Sequence, residues 1–262
     1  MYNNTTGNSN IALGSNSLYS NTTGYNNISM CEEALYENTT GLSNVALGRS
    51  ALYENTTGNY NLAIGFSALN SNTEGDHNIA NGYFALNKNT TGAFNIASGN
   101  NTLNKNTTGS DNIGIGRSVL QNNTTGNDNL AIGYLALKNN TTGFGNVAIG
   151  EQSAATGSNY TNSISIGRFT SAGASNRVRI GAGVTSIGGP AAWTNTSDAR
   201  FKENIKNNVV GLDFILGLEP VTYNINHKAT NRYQLGTDTI HYEEYYQDLY
   251  NTTNIGFLAQ DV

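Results

Sequence analysis

The stretch that decides the fold is Asn-Thr-Thr-Gly-Asn-Tyr-Asn-Leu-Ala-Ile-Gly-Phe-Ser-Ala-Leu-Asn-Ser, residues 55–71. Close variants of it fill the chain from residue 4 to about residue 156, as nine consecutive units of equal length without insertion or deletion. The Asn of position one recurs at residues 4, 21, 38, 55, 72, 89, 106, 123 and 140. A constant length over nine copies predicts that every unit closes the same turn of a repeat protein.

Glycine and asparagine occupy fixed positions of the unit. Position four is Gly in all nine units, from Gly7 to Gly143, and position eleven is Gly in eight, with Cys31 as the exception. Such glycines are expected where the backbone takes a positive φ or approaches a neighbour closely. Position seven is Asn in all nine units, and Asn both tolerates the left-handed conformation and forms side-chain ladders between stacked parallel coils. These residues predict closely stacked coils.

Positions eight to ten read apolar–small–apolar, as in Leu62-Ala63-Ile64, which predicts a strand with positions eight and ten on one face. A second segment, Ala-Leu at positions 14 and 15, predicts a second strand, because the interval between turns is too short for a helix. We therefore expect two strands and two turns per unit, with coils stacked about 4.8 Å apart. The sequence predicts an all-β fold, a parallel β-roll or β-solenoid of 17-residue coils over residues 1–156.

The small residues at position nine predict that this face packs tightly against something. A coil this short has few side chains with which to fill its own interior, and repeat proteins are stabilised by stacking. We expect three chains around a common axis, a homotrimer, to bury this face and to cover the open edges. A monomeric solenoid is the alternative.

The composition excludes several functional classes. Charged residues make up 12% of the chain, with 30 Gly and 2 Pro, which argues against a helical bundle. The net charge of −5 and the lack of a basic stripe argue against nucleic acid as a partner. No apolar run reaches the length of a membrane span. The histidines lack ligand spacing and Cys31 is alone, so we expect no metal, cofactor or disulfide. The N-terminus lacks the basic and apolar regions of a signal peptide. It also begins one step before the repeats, so we expect a piece of a longer chain.

Several strand segments resemble the coils of YadA-like adhesin heads. They are Asn-Val-Ala-Ile-Gly (146–150), Ser-Ile-Ser-Ile-Gly (163–167) and Val-Arg-Ile-Gly (178–181). Those heads are trimeric left-handed parallel β-rolls, so the resemblance implies this handedness and a trimer, although the present unit is longer than the usual coil of that family. Between residues 157 and 192 the spacing is less regular, and we expect irregular β coils or a neck there.

The composition changes abruptly at Trp193. Three motifs follow, Ser-Asp-Ala-Arg-Phe-Lys (197–202), Leu-Glu-Pro-Val-Thr-Tyr (218–223) and Ile-Gly-Phe-Leu-Ala-Gln-Asp-Val (255–262). In this order they resemble the endosialidase-type intramolecular chaperone, a self-cleaving serine peptidase found at the C-termini of phage tail fibres and tailspikes, in bacterial surface proteins and in myelin regulatory factor. The residues themselves predict a small α/β module over 193–262, in which a helix ends before Pro220 and a strand follows. Because the family's module continues past its last motif, we expect this one to be incomplete.

The resemblance implies cleavage of the Thr196–Ser197 bond, with Ser197 as the nucleophile and Lys202 as the general base. Lys serves as a base only when it is neutral, and a positive neighbour such as Arg200 would lower the pKa of Lys202. Asp198 belongs to the same motif as a supporting residue. The two side chains, five positions apart, can meet only across a bend or between protomers. On the residues alone, Ser-Asp before a charged segment is also typical of a helix N-cap.

The functional prediction is a structural fibre or adhesin shaft that is extracellular, on a virion tail fibre or a bacterial cell surface. Its expected partners are two further copies of the chain and a glycan or protein of a host or cell surface. Beyond autoproteolysis, no activity on external substrates is expected. One alternative is an ice-binding solenoid, because Thr-Thr recurs in eight of nine units and only Glu74 interrupts it. An inert spacer of a bacterial surface protein is the other.

Overall fold

The computed structural model describes residues 2–154 and 159–182, together with two later strands, Val221–Tyr223 and Asn254–Gly256. The chain divides into two compact units, Met1–Val184 and Thr185–Val262. The first unit is a parallel β-solenoid of about ten turns, and its described residues contain no helix. The predicted β-solenoid is therefore confirmed.

Eleven short strands form one sheet, and each strand pairs in parallel with the strands before and after it along the chain. They are β1 (Ile11–Leu13), β2 (Ile28–Met30), β3 (Val45–Leu47), β4 (Leu62–Ile64), β5 (Ile79–Asn81), β6 (Ile96–Ser98), β7 (Ile113–Ile115), β8 (Leu130–Ile132), β9 (Val147–Ile149), β10 (Ile164–Ile166) and β11 (Val178–Ile180). From β1 to β10 each residue pairs with the same position of the next unit, as Val147 does with Ile164. The last interval is shorter, because Ile164 pairs in turn with Val178. The last two strands lie in the segment expected to hold irregular coils.

The interior of the solenoid lies between the strand and the segment that returns from it. Position nine faces inward and is fully buried in most coils, as Ala63 shows, and the Ala-Leu pair of positions 14 and 15 is buried opposite it. In the first two coils Ser17 Oγ, from the return segment, lies 2.7 Å from Ser29 Oγ, at position nine. Within the second coil, Ser29 Oγ also donates to Ala34 O of the return segment at 2.7 Å. Small side chains are needed at position nine because the strand and the return segment lie this close together.

Side-chain volumes in the interior compensate one another. Thr102 and Val119 replace the usual Ala at position 14 in two consecutive coils, and Gly114 replaces Ala at position nine between them. A Cβ atom on Gly114 would lie 2.7 Å from Cγ2 of Thr102 and 3.5 Å from Cγ1 of Val119. The larger residues on one side are therefore accommodated by removing a methyl group on the other, as close packing requires.

Two ladders of buried Asn side chains run along the solenoid. At position one, each Nδ2 donates to Oδ1 of the Asn one coil earlier, over 2.7–2.9 Å. At position seven, each Oδ1 accepts from the backbone N–H of the Asn one coil later, as between Asn95 and Asn112 at 3.1 Å. From the second unit onward, the carbonyl of each position-four Gly connects the two ladders. Gly109 O, for example, accepts from Asn106 Nδ2 at 2.8 Å and from Asn95 Nδ2 at 2.9 Å.

The predicted second strand is wrong. The return segment is a series of turns, in which positions 13 and 15 take left-handed backbone conformations, with φ of 50° at Ser67 and 51° at Leu69. A further left-handed residue lies at position six, as in Tyr60, rather than at the Asn of position seven. Asn is therefore required at position seven for its side-chain ladder and not for its backbone conformation. Each unit contributes one strand.

In the second compact unit of the chain, Thr185–Val262, β12 (Val221–Tyr223) and β13 (Asn254–Gly256) form an antiparallel pair. Val221 pairs with Gly256 and Tyr223 with Asn254. The strand predicted after Pro220 is present. The helix predicted before it lies outside the described residues.

Candidate functional site

The most extensive candidate site is an exposed apolar face on the outer side of the strands. Because position nine points into the solenoid, positions eight and ten point away from it. Several of their side chains are well exposed for aliphatic residues, with 48% of Ile11, 60% of Leu13 and 43% of Ile115 accessible. We call this surface the apolar face. Its members are positions eight and ten of β1 to β11: Ile11, Leu13, Ile28, Met30, Val45, Leu47, Leu62, Ile64, Ile79, Asn81, Ile96, Ser98, Ile113, Ile115, Leu130, Ile132, Val147, Ile149, Ile164, Ile166, Val178 and Ile180.

Aliphatic side chains cover this face on all eleven strands, and only Asn81 and Ser98 are polar. Single exposed apolar residues are ordinary on protein surfaces, but a continuous band is typical of an interaction surface. The sequence predicted that the small residues of position nine pack against other chains. In the structure they pack against the return segment of their own chain instead. A usable signal was present in the sequence. Position nine hardly varies, whereas position ten accepts Leu, Met, Ile, Asn and Ser.

The residues at position 12, which flank the apolar face, are often charged or aromatic. Glu32 and Arg49, in consecutive coils, form an ion pair of 3.1 Å, and Arg168 pairs with Glu151 at 3.0 Å. These side chains are exposed, so each pair adds little stability. A polar border beside an apolar band is the usual composition of the rim of an interface.

Aromatic side chains stack from coil to coil at two other positions. Tyr2, Tyr19, Tyr36 and Tyr53 form a row at position 16, with neighbouring ring centroids 5.0–5.2 Å apart and planes within 5° of parallel. A shorter row at position six consists of Tyr60, His77 and Phe94, with centroids 4.9 Å apart. Because each ring covers the face of the next, these rows expose mainly ring edges. They stabilise the stack of coils more than they offer a flat platform to a ligand.

The two Thr columns of the repeat differ in their hydrogen bonding. At position two each hydroxyl of the first eight units donates to the carbonyl of the Thr one coil later, as from Thr107 Oγ1 to Thr124 O at 3.0 Å. In the ninth unit Thr141 Oγ1 donates to Asn159 Oδ1 instead. At position three the side chains, such as Thr108, are exposed. Most Thr residues of position two are half-buried, with hydroxyls bonded to the backbone, so the two columns do not present equivalent free hydroxyls to solvent.

The predicted cleavage residues lie outside the described part of the chain. This holds for Thr196, Ser197, Asp198, Arg200 and Lys202, so their geometry stays a prediction. The second and third motifs of this region do meet, because β12 belongs to the Leu-Glu-Pro-Val-Thr-Tyr motif and β13 leads into the last motif.

Other kinds of site find no support in the described residues. Within these ranges no group of three or more His, Cys, Asp or Glu side chains is arranged to hold a metal ion. Across the same part of the chain, no helix has the length and apolar character needed to cross a membrane. Asp111 and Asp128 are exposed turn residues, whereas Asp76 Oδ1 accepts a 2.6 Å hydrogen bond from the backbone of Asn59.

Comparison with known proteins bears on the C-terminal part. A family model described as "Chaperone of endosialidase" matches residues 197–262. No curated protein and no solved structure matches the chain. The match begins at Ser197, the residue predicted to become the new N-terminus after cleavage. It supports the prediction of an intramolecular chaperone domain at this end of the chain.

Proposed function

We propose that the chain is the shaft of a homotrimeric attachment fibre, in which the apolar faces of three chains meet around a common axis. The observation that carries this proposal is the continuous band of exposed and half-exposed aliphatic side chains on β1 to β11. Removing apolar surface from water is favourable by about 25 cal/mol per Å². Burial of these aliphatic side chains between chains would therefore stabilise the assembly. A narrow band on one side of a rod is covered by its own copies in a closed, symmetric assembly.

Three chains rather than two are favoured by the resemblances. The strand segments resemble YadA-like trimeric heads, and the C-terminal domain is similar to a type found on phage tail fibres and tailspikes.

The C-terminal domain would assist folding and then separate from the shaft. In this proposal the Ser197 hydroxyl attacks the carbonyl carbon of Thr196 and Lys202 accepts its proton. The peptide bond breaks as the leaving Ser197 amine takes up a proton, which leaves an ester between Thr196 and Oγ of Ser197. Water then hydrolyses this ester and releases the two fragments. Arg200 would favour the neutral form of Lys202. The family match on 197–262 supports the presence of the domain, and the chemistry is carried over from the family's motif.

The fibre would act outside the cell, on a virion tail or on a bacterial surface, where its exposed sides contact a glycan or protein of a host or another cell. The solenoid suits this role because every coil repeats the same hydrogen bonds, which makes a stiff rod without disulfides. The ice-binding alternative loses support, because the hydroxyls of one Thr column are bonded to the backbone.

Sedimentation equilibrium of the full chain tests the assembly. With Ser197→Ala, which keeps the chain whole, we expect about three times the chain mass of 27.8 kDa. The variant Ile115→Glu/Ile132→Glu should sediment as a monomer with an unchanged circular dichroism spectrum, because charged residues on the apolar face oppose its burial but leave the coil interior intact. The matched control is Lys105→Glu, which changes an exposed residue outside the apolar face and should remain trimeric. A wild-type monomer at micromolar concentration would overturn the proposal.

A further inference from the structure

The apolar face has one polar interruption. Position ten is aliphatic in nine of the eleven strands, but it is Asn81 in β5 and Ser98 in β6. These two strands are neighbours, and the two residues are directly paired in the sheet. Position eight is aliphatic throughout, including Ile79 and Ile96 beside them. The interruption is therefore a single polar patch in one column of the face, near the middle of the solenoid.

The side chains of this polar patch are not engaged within the chain. Asn81 is exposed and Ser98 is half-exposed, and neither side chain makes a hydrogen bond to the described residues. By contrast, the buried Asn residues of positions one and seven are tied into the ladders, as Asn89 and Asn78 illustrate. An Asn side chain both donates and accepts hydrogen bonds, and so does a Ser hydroxyl. Each can therefore pair with another copy of itself.

A repetitive apolar face leaves the axial alignment of two chains poorly defined. A copy displaced by one coil, about 4.8 Å, still brings aliphatic side chains against aliphatic side chains. Such a displacement gives up the contacts of only one coil at each end. Where strands look alike, register is weakly specified, and a polar residue at one core position is the best-attested way to fix it.

We propose that Asn81 and Ser98 set the axial register of the chains in the assembled fibre, an inference that rests on the proposed self-association through the apolar face. With the chains in register, the polar patch of one chain meets that of its neighbours. A slip of one coil places Asn81 of one chain against Ile64 of the next, and Ser98 of that next chain against Ile115 of the first. Only one polar pair, Ser98 with Asn81, remains. The two buried polar side chains left without partners together lower the population of the slipped register by about tenfold or more.

A disulfide assay with two cysteine positions reads the register. In a Cys31→Gly background, chains carrying Ile132→Cys are refolded together with chains carrying Ile149→Cys, with or without Asn81→Ile/Ser98→Ile. The two cysteine positions are paired neighbours in β8 and β9, one coil apart. A disulfide needs Cα atoms about 4.4–6.8 Å apart, so bonds between like cysteines report the correct register and mixed bonds report a slip. Mass spectrometry of the linked peptides distinguishes the products.

We expect bonds between like cysteines to exceed mixed bonds by about tenfold when Asn81 and Ser98 are present. In the double Ile variant the mixed bonds should rise to a comparable yield. The substitutions leave the coil intact, because Ile occupies position ten in other strands. Asn100→Ile, on an exposed residue just outside the apolar face, is the control and should leave the tenfold ratio unchanged.

The possible contrary results are distinguishable. A double variant that sediments as a trimer and still forms only like-cysteine bonds would show that the register is set elsewhere. A trimer in which neither cysteine forms a disulfide would show that the residues of position ten lie outside the interface. That result would overturn the inference. A chain that sediments as a monomer would instead overturn the proposed function.

Discussion

Nδ2 of Asn106 donates a 2.8 Å hydrogen bond to Oδ1 of Asn89, the residue that holds the same position one coil earlier. The same Nδ2 also donates to Gly109 O, and Asn106 Oδ1 accepts from Asn123. All three Asn side chains are fully buried. The ladder therefore joins each coil to its neighbours through groups that water does not reach, and a single substitution breaks three hydrogen bonds.

Removing one member of this ladder should destabilise the solenoid strongly. We expect Asn106→Ala to lower the free energy of unfolding by about 3 kcal/mol, because buried donors and acceptors lose their partners. Chemical denaturation followed by circular dichroism measures it. The control, Asn100→Ala on the exposed surface, should change stability by less than about 0.5 kcal/mol. Equal losses in the two variants would contradict a special role for the ladder.

The Gly of position four should tolerate no side chain, for reasons of space. A Cβ atom on Gly109 would lie 2.5 Å from both Gly126 O and Asn106 Oδ1, and its φ is not positive. We expect Gly109→Ala to cost about 3 kcal/mol, because the coils would have to separate. Gly173 has a φ of +73° but nothing within 4 Å of its Cβ position, so Gly173→Ala should cost about 1 kcal/mol from backbone strain alone. Thermal unfolding measures both losses. A larger loss of stability for Gly173→Ala than for Gly109→Ala would show that backbone conformation, and not space, selects Gly at position four.

Cys31 is a strained residue whose replacement should stabilise the chain. It occupies position eleven, where the other units have Gly, and it has a φ of 97°. A side chain in that conformation costs on the order of 1–3 kcal/mol. After allowance for the greater freedom of Gly in the unfolded chain, Cys31→Gly should raise the free energy of unfolding by about 1 kcal/mol. Cys31→Ala keeps the Cβ atom and should bring no such gain, which makes it the decisive comparison.

The alkaline stability of the first coils should depend on Tyr53. Partial burial raises the pKa of Tyr53, and the negative charge of Glu33 raises it further. Because the folded state favours the neutral phenol, this contribution to stability is complete below the pKa of a free Tyr, about 10. It is lost as the pH rises above that value through the raised pKa.

Unfolding measured between pH 9 and 12 should therefore show a steeper loss of stability for the wild type than for Tyr53→Phe. Glu33→Gln, which removes one charge that raises the pKa, should give an intermediate slope. Indistinguishable slopes for all three proteins would assign the alkaline loss to other groups.

Self-cleavage should depend on Ser197 and Lys202. We expect intact-mass analysis of the wild type to show fragments 1–196 and 197–262, and both Ser197→Ala and Lys202→Ala to remain whole. Arg200→Ala should slow the reaction and shift its pH profile to higher pH, because a neighbouring positive charge favours neutral Lys. An uncleaved wild type that is nevertheless trimeric would make the C-terminal domain a folding aid without peptidase activity.

The sequence predicted the period, the parallel stacking and the Asn ladders, because these follow from the identity of residues such as Asn55, Gly58 and Asn61 at a constant spacing. It did not predict the conformation of the return segment. Leu52 and Leu69 take left-handed conformations that their side chains disfavour when isolated, and burial of the Leu side chain compensates within the stack. Local preference therefore pointed to a strand where packing produced a turn.

The sequence by itself determined that a coil of one fixed length repeats and that successive coils pair in parallel. Only coils of equal length bring each Asn next to the equivalent Asn of the next coil, and each Gly next to the equivalent Gly. Only the tertiary structure decided which side of each strand faces inward. In Leu62-Ala63-Ile64 the alternation is the same whichever face is buried, and the aliphatic pair would ordinarily be assigned to the core. The narrow gap to the return segment admits only Ala63, so the larger side chains lie outside and form the apolar face.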